Sequence, residues 1–196
     1  MMWDERFAQP GFAYGTEPND FLREVVSTIP KGKVLSLAEG EGRNGVFLAQ
    51  QGYDVTGVDS SKVGLAKAEN LAKERGVTIS TVVTDLAAYE IAPAAWSGIV
   101  SIFCHLPPPA RSRLYRQAVA GLKPGGVLVL EAYTPKQLEF KTGGPPVAEL
   151  MPTLAELKTE LAGLQFEIAR EIEREIHEGK LHDGKSAVVQ ILARKV

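Results

Sequence analysis

Hydrophobic positions follow two rhythms along this chain. Val34-Leu35, Ile99-Val100 and Val127-Leu128-Val129-Leu130 are nearly unbroken apolar runs, the pattern of strands buried on both faces. They sit inside predicted strands over 33–38, 98–104 and 127–132, with two further strands over 54–59 and 78–84. Between them the pattern predicts helices over 43–51, 62–75 and 109–122. Gly52 stops the first of these, Ser60 or Ser61 caps the second, and Gly76 ends it. Thr153 caps a later helix that runs to about residue 162. Strand and helix in alternation predict an α/β, Rossmann-like fold, with a mostly parallel sheet and helices on both faces.

The end of the chain changes period. Phe166, Ile168, Ile172 and Ile176 share one parity, and Glu167, Glu171, Glu173 and Glu175 the other. Period two predicts a strand with one wet face. A second β-like run over 186–193 follows Gly179 and Gly184, so a closing antiparallel hairpin is expected. Arg170 and Arg174 fall on the apolar parity, so that face is not simple core. A helix over 162–176 is the competing assignment, because Glu and Arg are good helix formers.

Chemistry concentrates after the first strand, in Glu39-Gly40-Glu41-Gly42-Arg43-Asn44-Gly45. Glycine permits a sharp turn from strand to helix and removes the Cβ atoms that would block a ligand. The helix amides then face that ligand. Read as GxGxxG, the loop also fits a dinucleotide, and an ordinary tight turn is the bland alternative. Asp59 ends the second strand, twenty residues after Glu39, where a carboxylate can accept from ribose hydroxyls. Loop and acid together point to an adenosine cofactor. Glu39 and Glu41 suit a cofactor with an ammonium and a sulfonium charge better than a pyrophosphate. Thr84-Asp85-Leu86 ends the third strand, with an acid for an adenine amino group and an apolar side chain for its ring.

With Leu122-Lys123-Pro124-Gly125-Gly126 before the fifth strand, these segments resemble the class I S-adenosylmethionine-dependent methyltransferases. The resemblance runs over roughly residues 30–133 and through the hairpin. It implies a seven-stranded sheet with the last strand antiparallel. It also implies cofactor contacts from Glu39 to the methionine amino group, Asp59 to the ribose, and Asp85 with Leu86 to the adenine. Gly40, Glu41, Gly42, Arg43, Asn44, Ser60 and Thr84 lie beside those positions and are further candidates. Trp3-Asp4-Glu5-Arg6-Phe7 and Tyr14-Gly15-Thr16-Glu17-Pro18-Asn19 are similar to the opening of the tellurite-resistance and thiopurine methyltransferase-like group. In that group the N-terminal segment covers the cofactor and acceptors are small and often soft nucleophiles. A terminal arm docked for stability alone is the alternative.

Aromatic faces stabilise cations, which makes Tyr14, Trp3 and Phe103 candidates for the sulfonium. Trp3, Phe7, Tyr14 and Tyr133 are the candidates on the acceptor side. His105 follows the fourth strand and is the candidate base. Bonding to a loop carbonyl or packing on the cofactor are its other roles. Cys104 ends an apolar strand and reads as a buried, inert thiol. His177 and His182 are read as solvated beside the last turn. Arg111, Arg113 and Arg116 are read as a solvated helix face.

Formal net charge is -2, with 44% hydrophobic residues and one cysteine. These values favour one domain over 1–196, in a reducing cytoplasm, with no membrane or nucleic-acid partner. The N-terminus is charged from its fourth residue, so no secretory leader is expected. Pro107-Pro108-Pro109 follows His105-Leu106 and precedes Ala110. Enzymes that methylate base amino groups place Asn or Asp before Pro-Pro and an aromatic after. One Cys and three scattered His residues give no metal spacing. The expectation is a monomer or weak dimer methylating a small molecule. An NAD-binding oxidoreductase and a non-catalytic S-adenosylmethionine-binding module stay open.

Overall fold

The computed structural model describes residues 2–196. Seven strands form one sheet in the order β3-β2-β1-β4-β5-β7-β6. The strands are β1 (Lys33–Leu37), β2 (Asp54–Asp59), β3 (Ser80–Val83), β4 (Trp96–Ile102), β5 (Leu122–Tyr133), β6 (Leu164–His177) and β7 (Asp183–Lys195). The first five are parallel, and β7 slots antiparallel between β5 and β6. The helices are α1 (Met2–Phe7), α2 (Asp20–Val25), α3 (Arg43–Gln50), α4 (Lys62–Glu74), α5 (Pro108–Gly121) and α6 (Leu154–Glu160).

Neighbouring residues of each central strand face opposite sides of the sheet. Leu35, Ile99, Leu128 and Leu130 meet Leu114 and Ala118 of α5 and Leu157 of α6. Val34, Val100, Val127 and Val129 meet Phe21 and Leu22 of α2, with Val46 of α3 and Leu71 of α4. Both layers are closed to water, which is why the sequence shows unbroken apolar runs rather than alternation.

Several boundaries move. The strand expected over 78–84 forms only as Ser80–Val83, at the sheet edge, with Val83 exposed. The fifth strand begins at Leu122 because that residue pairs with Trp96; the register then shifts before Gly98 meets Val127. Gly163, at φ +99°, lies just beyond the shortened α6. Helix α2 was not anticipated. Asn19 caps it, its Oδ1 accepting from the Leu22 amide at 3.0 Å. The hairpin expectation holds over the helical alternative, because β6 pairs with β7 along its whole length.

Two readings are corrected. Arg111 is not on a solvated face but 1% exposed. Its Nε and Nη2 donate to Glu160 at 3.0 Å, tying α5 to α6. His182 is not solvated either; it is 7% exposed. His177 is exposed, as expected.

Strand order reverses direction between β1 and β4, and a crevice at that switch point is where open α/β sheets bind ligands. The segment from α1 to Asn19 and the turn between β6 and β7 both close over it. Leu128→Ala, at the sheet centre, should lower stability by about 2–5 kcal/mol. Val83→Ala, on the exposed edge, should change it by less than about 0.5 kcal/mol. Urea unfolding midpoints check both.

Candidate functional site

The turn after β1 is strained in the way a ligand cradle needs. Gly40 has φ +61° and Gly42 has φ +97°. A Cβ on Gly42 would lie 2.6 Å from the Ala68 Cα of α4, so no side chain fits there. Gly40 N–H donates to Asp59 Oδ2 at 2.9 Å, and Ser61 N–H donates to Oδ1 at 2.8 Å. Asp59 thus fastens β1 to β2, and burial raises its pKa from the ordinary value. Each of its oxygens keeps a second lone pair for another donor. Thr84 lies beside it, its N–H donating to the Asp59 carbonyl at 2.9 Å.

The two glutamates of the loop differ. Glu39 is buried beneath the turn, with Oε1 accepting from Gly45 N–H at 2.7 Å and Oε2 lacking a partner. Burial pushes its pKa up to about 7. Glu41 is fully engaged elsewhere. It accepts from Ala13 N–H at 2.7 Å and from Lys67 Nζ at 2.9 Å, so it pins the N-terminal segment. Asn44 does the same, accepting from Asn19 N–H at 3.0 Å. Arg43 is buried, with Nη1 unpaired.

The N-terminal segment lies directly over this loop. Asp4 accepts from Ser61 Oγ at 2.6 Å, and Lys67 Nζ donates to the Gln9 and Gly11 carbonyls. Phe7 is 3% exposed and sits against Gly40 and Gly64. Trp3 stacks on Phe7 at 5.7 Å but is itself exposed. Phe7 thus stands at the glycine turn and also meets Tyr14 edge-on, 6.4 Å between centroids, which links it to the rings described next.

A second aromatic group gathers where β4, β5 and the β6–β7 turn meet. His182 packs 4.4 Å from Tyr14 and 4.6 Å from Phe103, centroid to centroid. Phe103 stacks on Tyr133 at 4.6 Å, and His105 on Tyr133 at 5.8 Å. His105 Nδ1 lies 3.1 Å from the Leu150 carbonyl, to which only a protonated nitrogen can donate. That leaves Nε2 as a bare acceptor. His105 Nε2, Tyr133 Oη and His182 Nδ1 are all buried without partners. Burial depresses His105 to about 4 and holds His182 well below its ordinary value. Both imidazoles are neutral near pH 7. Nothing local in the sequence marked His182, because its partners lie on three other segments. The Cys104 thiol, nearby and buried, is pushed up to about 12.

Toward β3, Leu86 is buried while Asp85 is exposed, its Oδ1 accepting from Ala87 N–H at 2.9 Å. Ser60 is half-buried at the end of β2.

Residues 34–126 match the family described as a methyltransferase domain. That match covers a little under half of the chain. The chain's fold is shared with TehB from Haemophilus influenzae (22% identity, TM-score 0.76, 99% of this chain and 66% of that one). It is shared too with magnesium protoporphyrin IX methyltransferase from Synechocystis, solved with bound S-adenosylhomocysteine (18% identity, TM-score 0.66, 89% and 78%). A structure from work on conversion of a disulfide bond into a thioacetal group during echinomycin biosynthesis aligns over 99% of this chain and 90% of that one. Its TM-score is 0.78 and its identity 16%. Hemagglutinin 1 of Eikenella corrodens is 33% identical over 73 residues, 37% of this chain and 24% of that protein's length. The glycine turn fits S-adenosylmethionine in the kind of groups it presents. A buried acceptor, Glu39 Oε2, and a buried donor, Arg43 Nη1, stand unpaired at the glycine turn, a match in kind to an amino-acid tail.

Titration of the buried groups gives opposed slopes. His105 binds its proton more weakly folded (about 4) than unfolded (ordinarily 6.5). Its contribution is therefore intact above pH 6.5 and lost as pH falls toward 4, and His182 acts in the same direction. Glu39 binds its proton more tightly folded (about 7, against 4.5), so its contribution is lost as pH rises between those values. Glu39→Gln should steepen the gain in stability on going from acid to neutral pH, and His105→Asn should flatten it. Urea midpoints across that range check the sign of each.

Proposed function

We propose that this protein is an S-adenosylmethionine-dependent methyltransferase whose acceptor is a small soft nucleophile, a thiol or a selenium or tellurium compound. One observation carries the acceptor half: three unpaired polar atoms, on His105, Tyr133 and His182, inside a box of aromatic rings. Such a box has the apolar walls and few convergent polar groups of a small-molecule site. Its imidazoles are poor bases. A group near pKa 4, as His105 is, takes little charge from an acceptor at neutral pH. An acceptor that arrives as an anion, or attacks without losing a proton, needs no such help. The fold neighbour from work on conversion of a disulfide bond into a thioacetal group supports a reading at sulfur.

The roles follow the geometry. Asp59, with Ser60 and Thr84 beside it, faces the ribose. Glu39 and Arg43 serve the amino-acid tail, and Gly40 and Gly42 let it approach. Leu86 with Asp85 serves the adenine. Glu41 and Asn44 act indirectly, by holding the N-terminal cover. Bound S-adenosylmethionine supplies a methyl group already activated by positive sulfur. The chain has to align the acceptor, exclude water and present ring faces to the cation. Tyr14 and Phe103 serve the last task, Tyr133 and His105 orient the acceptor, and Phe7 with Trp3 seals the cofactor side. The protein acts as one domain in the cytoplasm, as a monomer or weak dimer, on a small molecule rather than nucleic acid. The unpaired, buried thiol of Cys104 is consistent with that compartment.

Calorimetry should detect S-adenosylhomocysteine binding and none for NADH; the reverse result would overturn the cofactor assignment. Labelled methyl transfer to a panel of thiols, selenols and thiopurines tests the acceptor class. Transfer only to oxygen or amine acceptors would refute it. Tyr133→Phe should lower kcat/KM for the acceptor about tenfold, the loss of one buried hydrogen bond, with S-adenosylhomocysteine affinity unchanged.

A further inference from the structure

The β6–β7 turn carries more than His182. Glu178, 6% exposed, opens it, and its backbone N–H closes the turn by donating to the His182 carbonyl at 2.8 Å. The turn is clamped to the N-terminal segment. Lys180 N–H donates to the Ala13 carbonyl at 3.1 Å. Gly179 lies so close to Tyr14 that a Cβ would come within 2.5 Å of the Tyr14 backbone.

The Glu178 carboxylate reaches the cofactor loop. Its Oε2 is 2.7 Å from Arg43 Nη2, in a pair whose N–H is not aimed along the line between them. Its Oε1 accepts from Asn19 Nδ2 at 2.9 Å and from Arg174 Nη2 at 3.3 Å. Arg174 in turn donates to Glu131, which is fully buried on β5. Asn19 and Arg174 thus fix Glu178, the ion-pair partner of Arg43, whose second nitrogen, Nη1, is buried and unpaired. A buried guanidinium N–H without a partner is costly, and the planar fork of arginine matches a carboxylate. Glu39, whose Oε2 also lacks a partner, lies within the electrostatic reach of Arg43. A carboxylate oxygen and a guanidinium nitrogen, each without a partner, complement a zwitterionic amino acid.

We propose that Glu178 is a positioning residue. It holds Arg43 so that Nη1 receives the carboxylate of the cofactor's amino-acid tail, and so links the acceptor-side turn to occupancy of the cofactor loop. The inference rests on the cofactor reading above and adds a residue, a ligand group and a coupling that reading does not contain.

Calorimetry on the full chain with two probes tests it: S-adenosylhomocysteine, and its decarboxylated analogue, which keeps the amine and lacks only the carboxylate. The wild type should prefer S-adenosylhomocysteine by about tenfold or more, as a charge-assisted pair allows. In Glu178→Gln the preference should shrink to about threefold or less, with affinity for the analogue within about twofold of wild type, because only the carboxylate contact is lost. Arg43→Lys should behave alike, since a lysine lacks the fork. Amide exchange in the 178–182 turn should slow with S-adenosylhomocysteine and not with the analogue. An undiminished preference in Glu178→Gln, or a proportional loss for both ligands, overturns the positioning role while the cofactor reading stands. Equal binding of both ligands by the wild type overturns the carboxylate contact. Failure of the wild type to bind either one overturns the cofactor reading and this inference together.

Discussion

A carboxylate with no exposed surface, Glu131, sits in the middle of this structure and cannot be left unpaired. It stands on β5 and takes hydrogen bonds from Asn19, Arg174 and Gln190. Breaking such a buried set by removing one partner costs about 3–5 kcal/mol. The partners come from the segment before α2, from β6 and from β7. To pair this one charge, the chain must bring its N-terminal segment and its closing hairpin to the carboxyl ends of the parallel strands. The crevice is therefore roofed by the same contacts that neutralise Glu131.

The roof sorts the site into two chemical halves. On the proposed cofactor side are charged groups at a glycine turn: Glu39, Arg43 and Asp59. On the proposed acceptor side are rings, with two imidazoles held neutral by burial. The proposed methyl transfer asks for this division. The donor's amino-acid tail and sugar need polar partners, while the reacting atoms gain from a dry, oriented surrounding. The β6–β7 turn belongs to both halves, with Glu178 at its start and His182 at its end.

Much of this was readable along the chain. The parallel core follows from apolar runs such as Val127-Leu128-Val129-Leu130, and the closing hairpin from the two-residue period over 166–176. The glycine turn and the acid ending β2 were legible because their spacing is local and sterically demanding: Gly42 has no room for a Cβ. Arg174 gave a partial signal by falling on the apolar parity of β6. The periodicity said that a charge pointed inward, and could not name Glu131 as its partner.

What the sequence alone determined is the parallel core, the closing hairpin, and a turn able to admit a ligand. These depend on residues a few positions apart, so backbone sterics and hydrophobic period suffice. Only the tertiary structure decided which charges serve the cofactor loop and which serve the cover. It turned Glu41 into a clasp for Lys67 and Ala13, buried Arg111 against Glu160, and brought His182 in among Tyr14, Phe103 and Tyr133. Burial and pairing arise between segments far apart in the chain, and no local pattern encodes the partner.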